Sequence, residues 1–175
     1  MRPRDIVILL KIIAKGDQEW LNKDLASELF ISPAEISDSL SRSEMGGLIS
    51  SGEKKKVYKQ SLLEFIQYGL HHVFPAVPGG MVNGMYTAHS HPFMKKYFQS
   101  DWQYVWPDFK GEGLGLTIEP LYKEAVKAAK QDELLYKMLA LIDVIRAGKV
   151  REIKVAITEL KKIFEHEPSA KYHTH

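Results

Sequence analysis

The sequence predicts an α+β fold that is mainly α, on three observations. Apolar residues recur at helical spacing in four separate segments of about the first 72 positions. The pattern stops in a middle stretch rich in proline and glycine, then resumes from Leu134 to Phe164. With 175 residues and 45% hydrophobic content the chain can bury a core. The absence of cysteine excludes a disulfide scaffold, a thiolate zinc site and cysteine nucleophile chemistry.

The first helix is expected over residues 3 to 15. Ile6, Leu9, Leu10 and Ile13 share a face, Pro3 suits the first turn and Gly16 follows as a stop. Lys11 interrupts the apolar run and no small-residue cleavage site follows it, so the segment reads as a core helix rather than a signal peptide or a membrane span. Asn22 is the expected cap of a short second helix burying Leu25 and Leu29, and Phe30 and Ile31 should pack beneath the next one. The third helix has the clearest start: Ser32-Pro33-Ala34-Glu35 offers an N-cap serine, a first-turn proline and the glutamate of a capping box. Ile36 and Leu40 then face inward, turning Ala34, Asp38, Ser41 and Arg42 outward.

Leu48 to Ser50, a turn through Gly52, and Lys54 to Tyr58 read as a two-stranded hairpin with a basic limb. A second box, Ser61 to Glu64, should open a fourth helix carrying Leu62, Phe65, Ile66 and Leu70. Irregular structure is expected from about 73 to 120, except that Trp102, Tyr104 and Trp106 alternate as though on one face of a short strand. Leu134, Met138, Leu141, Ile142 and Ile145, a break at Gly148, then Val150, Ile153, Ile157, Leu160 and Phe164 predict an antiparallel helical hairpin. The expected divisions are therefore 1–72, a mixed effector, partner or dimerisation module over 73–165, and a flexible tail over 166–175.

The formal net charge is +2, and residues 1–60 carry ten Lys/Arg against nine Asp/Glu. A nucleic-acid surface on this segment requires charges segregated by face, since phosphate neutralisation supplies much of DNA affinity. A short helix, a tight turn and a capped helix with a small polar outer face suit the major groove. On that reading Arg42 pairs with guanine, Asp38 accepts from a cytosine amino group, and Ser32, Ser37, Ser39 and Ser41 reach bases or phosphates. Lys54, Lys55 and Lys56 meet the phosphate backbone. The plainer alternatives are that Asp38 and Arg42, four apart, pair with each other, and that the lysines only solubilise a turn.

The span from Asp5 to about Gln60, centred on LNKDLASELFISPAEISDSLSRSEMGGLI, resembles the winged helix-turn-helix domains of bacterial transcriptional regulators, broadly MarR-like. The resemblance covers about the first 70 residues. It implies a recognition helix opening at Ser32, a wing over residues 49–58, and a cytoplasmic DNA-binding repressor. The two-fold half-sites common to such proteins favour a homodimer. The remainder departs from a MarR-like layout and is more similar to regulators that double as antitoxins in abortive-infection-type operons. That resemblance implies a protein partner for residues 73–165, and no catalytic residue, cofactor or membrane.

Two further readings concern the middle of the chain. His89 and His91, in Ala88-His89-Ser90-His91-Pro92, would point both imidazoles to one side of an extended segment and could share a metal ion, with Asp101, Asp108, His71 or His72 as a third ligand. Against this, such histidines often only hydrogen-bond backbone. Trp102, Tyr104 and Trp106 would line an effector or partner pocket, or else belong to the core. Neither a G-x-x-x-x-G-K-[ST] loop nor a G-x-S-x-G elbow occurs.

Overall fold

The computed structural model describes residues 1–166, so the expected tail after His166, with His173 and His175, lies outside them. Helix α1 spans Pro3–Lys15 and ends at Gly16, whose φ of 59° suits glycine. Ile6 through Leu10 are all buried, so the helix is surrounded by protein rather than lying on a surface with one apolar stripe. Lys11 is buried with them. Its ammonium is held by Asp132 at 2.7 Å and Glu28 at 2.9 Å, the compensation a buried cation requires.

Helix α2 spans Asn22–Leu29. Its N-cap is Leu21 rather than the expected Asn22, and the orphan Leu21 N–H is taken by the Asp24 carboxylate at 2.8 Å. Phe30 closes the helix in the left-handed region with φ 57°. That geometry sends Ile31 into the core, while Phe30 stays exposed with Lys127 over its ring. Helix α3 spans Pro33–Met45 and starts where the capping signal places it.

The expected hairpin is reduced to one bridge, Ile49 to Val57, flanked by Ser50 N–H to Lys56 O and Tyr58 N–H to Leu48 O, each 2.8 Å. Helix α4, Lys59–Tyr68, starts two residues before Ser61, so the second Ser-x-x-Glu box does not cap it. Gly69 separates it from the single turn α5, Leu70–Val73.

The stretch expected to be irregular holds three strands: β1 Met81–Tyr86, β2 Tyr104–Pro107 and β3 Gly113–Thr117. Strand β1 pairs antiparallel with both others, and β2 and β3 pair parallel, closing a miniature barrel with no free edge. Glycine makes so tight a closure possible. A Cβ on Gly84 would stand 1.9 Å from the Trp106 carbonyl oxygen, and one on Gly115 would stand 2.6 Å from that of Gln103.

Helix α6, Ala125–Gln131, escapes the apolar pattern of the sequence, since its fully buried residues are only Ala125, Ala128 and Ala129, with Val126 partly buried beside them. Asp132 caps the next helix, α7 (Glu133–Ala147), accepting from Leu135 N–H at 3.0 Å. Helix α7 is buried from Met138 to Arg146 on every side and packs against α1, α4, α5, α6 and the 88–90 turn. Helix α8, Val150–Glu165, returns along it as the expected hairpin partner. Ala156, Leu160 and Phe164 are buried, Ile153 and Ile157 half-buried, and Val150 is 71% exposed at the bend.

One hydrophobic cluster runs from Ile6 to Phe164 through both ends of the chain. At its centre Asp143 accepts from Thr87 Oγ1 at 2.6 Å, Trp106 Nε1 at 2.7 Å and Arg146 Nη1 at 2.9 Å. Arg146 also donates to the carbonyls of Phe74 and Glu119, each at 2.9 Å. Complete burial pushes the Asp143 carboxyl upward, opposed by the Arg146 charge. This node ties the barrel to the last hairpin. Among the described residues no helix is long and apolar enough to cross a membrane.

Candidate nucleic-acid interface

The amino-acid order along α3 sorts its side chains into two faces. Ile36 and Leu40 point into the core, and Ser39 and Ser43 are buried beside them. Ala34, Ser37, Asp38, Ser41, Glu44 and Met45 are exposed, with Met45 at 88%. The outer face is therefore small and polar over most of its length. Ser32 stands at its N-terminal end, where its Oγ accepts from Glu35 N–H at 3.2 Å. The Glu35 carboxylate in turn accepts from Ser32 Oγ at 3.4 Å and also pairs with Arg4 of α1.

Arg42 does not face outward as expected, and it does not pair with Asp38. Its Nε donates to Asp5 Oδ2 at 3.0 Å and its Nη2 to Asp5 Oδ1 at 2.8 Å, a bidentate clasp onto α1. Ser39, also expected to face DNA, donates to the same carboxylate at 2.6 Å. The Arg2 backbone N–H adds a fourth bond at 2.7 Å. Burial acts to raise the Asp5 carboxyl, but the hydrogen bonds from Arg42 and Ser39 outweigh it and hold the group below its ordinary value. A carboxylate buried in this way costs several kcal/mol unless it is paired, so the guanidinium is committed to Asp5.

Ser41 donates to Ser37 O at 3.1 Å, which leaves its oxygen lone pairs turned to solvent. The hairpin tip sits beside the C-terminal end of α3, tied there by Lys55 Nζ to Glu44 at 2.8 Å. Lys54 and Lys56 are exposed, and among the described residues neither forms an ion pair. The expected segregation of charge is thus partial: cations on the hairpin, acids Asp38 and Glu44 on the helix.

The middle of the chain departs further from expectation. Trp102 lies before β2 and is 55% exposed, Tyr104 is half-buried, and Trp106 is 1% exposed and donates to Asp143. The three do not share a face, and Trp106 is core.

Residues 88–90 form a 3₁₀ turn rather than an extended segment, so His89 and His91 diverge. His89 Nε2 pairs with Glu152 of α8, and His91 Nδ1 accepts from Phe93 N–H at 3.1 Å. Of the suggested third ligands, His71 bonds Arg146 O and Asp108 pairs with Lys130, while Asp101 and His72 remain exposed. Among the described residues no group of three or more His, Asp or Glu is arranged to hold a metal.

Sequence reasoning missed the structural role of Asp5. The sequence offered only an acid in the first turn of α1, which simple capping accounts for and which does accept from the Arg2 N–H. Comparison with protein-family models, with curated proteins and with solved structures finds no match.

Proposed function

We propose that the protein is a sequence-specific DNA-binding transcriptional regulator, a repressor acting as a homodimer, whose winged helix docks α3 in the major groove. The observation that carries this reading is the outer face of α3. Ala34, Ser37, Asp38 and Ser41 are exposed and short, so base edges can come close to the helix backbone, and a lysine-bearing hairpin flanks the helix. Asp38 accepts from a cytosine amino group, and Ser37 and Ser41 offer hydroxyls. Lys54, Lys56 and, on exchange of Glu44 for phosphate, Lys55 supply sequence-independent affinity. Arg42 acts here as a positioning residue that fixes α3 on α1, not as a base reader.

Fluorescence anisotropy on duplex from the gene's own upstream region and on random duplex, at several salt concentrations, tests this. Three neutralised phosphates give a slope of about −2.7 in log K against log salt, with tighter binding to the upstream duplex. Equal binding to both duplexes removes sequence specificity, and no binding at low salt removes the DNA reading altogether.

A second reading is favoured by the charge of the same face, which carries Asp38, Glu44 and the exposed Met45 and no unpaired cation among the described residues. In that reading α3 docks a protein instead of DNA. Light scattering of the purified protein checks the homodimer in either case.

A further inference from the structure

A cleft of about 410 Å³ opens between the 91–96 segment and the first turns of α7, with His91, Phe93, Lys96, Glu133, Tyr136 and Lys137 among its walls. Two of these residues carry ammonium groups aimed at one ring. Lys137 Nζ lies 3.5 Å from the centroid of Phe93 and Lys96 Nζ lies 5.7 Å from it. Among the described residues neither forms an ion pair, although ten other Lys and Arg side chains of the protein do. A third lysine nearby, Lys162, is already held by Glu159 at 2.9 Å. Partial burial, and then the like charges of Lys96 and Lys162, hold Lys137 below its ordinary value against the pull of Glu159.

His91 completes the donor set. Its Nδ1 accepts from Phe93 N–H, which places the remaining ring proton on Nε2. Its ring lies edge-on to Tyr136 with centroids 4.2 Å apart, and burial together with Lys137 pushes its value down to about 4. At neutral pH the side chain is therefore an uncharged donor with a fixed tautomer. Glu133 at the rim carries the opposite charge, leaving the two lysines and this acid with a net charge of +1.

We propose that this cleft binds a small organic oxyanion, a carboxylate or phosphate held by Lys96, Lys137 and His91 Nε2–H, with a compact apolar body against Phe93 and Pro92. Two like charges over one ring, neither with an ion-pair partner among the described residues, are a cost to the unliganded protein, and an anion relieves it. Cation–π attraction alone is worth only about 0.5–2 kcal/mol. The site stands independently of any interaction with DNA.

Calorimetric titration of the purified protein with phenyl phosphate and, separately, with phenylacetate tests the proposal, and the preferred anion identifies the headgroup. Saturable one-to-one binding by at least one of them is expected, weakened tenfold or more in Lys137→Met and in Lys96→Met and retained in Lys137→Arg and in Lys23→Met, a change at an exposed lysine elsewhere. Lys96 is exposed, so its substitution keeps the test valid if Lys137→Met lowers stability. No saturable heat with either anion, or undiminished binding by the Lys96→Met, Lys137→Met double variant, overturns it. Because no DNA enters the measurement, failure here leaves the DNA reading standing.

Discussion

The guanidinium of Arg42 on α3 closes a two-pronged clasp on the carboxylate of Asp5 on α1, with bonds of 3.0 and 2.8 Å. The clasp decides what Arg42 is for. Arg42→Ala is expected to cost about 2–3 kcal/mol of stability by urea unfolding, since it strands a buried carboxylate that keeps only Ser39 and one backbone N–H. If that variant unfolds at the same urea concentration as the wild type but loses its preference for one DNA sequence, Arg42 reads bases after all.

Asp5 also makes stability depend on acid. Its folded value lies below the ordinary 3.8, so the unfolded chain binds the proton more tightly. The contribution is complete well above pH 3.8 and disappears as pH falls through the folded value. Asp5→Asn should therefore flatten the loss of stability on acidification below about pH 4, as read by unfolding free energies at a series of pH values. An unchanged slope would place the acid sensitivity elsewhere.

Asp143 and Trp106 predict a larger effect. Asp143→Ala removes the acceptor for Thr87, Trp106 and Arg146 together and leaves a guanidinium only 5% exposed without its carboxylate. Breaking a buried pair from one side costs about 3–5 kcal/mol. Thermal unfolding of the variant against the wild type measures it, and a change below about 1 kcal/mol would mean water replaces the carboxylate.

Closure of the barrel depends on Gly84. With backbone 1.9 Å from where its Cβ would sit, Gly84→Ala must part β1 from β2. Near-ultraviolet circular dichroism should show loss of the fixed Trp106 environment, with destabilisation of about 3 kcal/mol or more. A native spectrum would show that the strands can separate cheaply.

The hairpin lysines carry the last prediction, which rests on the proposed DNA binding. Replacing Lys54, Lys55 and Lys56 by Gln should weaken binding to all duplexes alike and reduce the salt slope by about 0.9 for each phosphate no longer neutralised. Asp38→Ala, by contrast, should alter preference among sequences with little change in slope. Anisotropy titrations of the two variants separate these effects.

Where a residue's local chemistry determines its conformation, the fold is legible in the sequence. Pro3 and Gly16 bound α1, Ser32 and Pro33 open α3, and Gly148 separates the two helices of the last hairpin. Legibility fails where distant partners decide. Glycines at 84, 113 and 115 read as loop residues because their use, a three-stranded closure with no space for a Cβ, is visible only once the strands meet. Helix α6 fully buries only alanines, too weak an apolar signal to register a period. At the candidate site the outward placement of Ser37, Asp38 and Ser41 follows from Ile36 and Leu40. The inward turn of Ser39 and Arg42 depends on Asp5, more than thirty positions earlier.

Helix α7 lies against α1, and its N-cap Asp132 holds the ammonium of Lys11. During translation α1 is completed at Lys15, whereas its covering helix is completed only at Ala147. At about 5–20 residues per second, the interval between completion of α5 and completion of α7 is roughly 4–15 s. Throughout it the apolar flank of α1 has no native cover, so the nascent chain passes through a period in which chaperone engagement or self-association competes with folding.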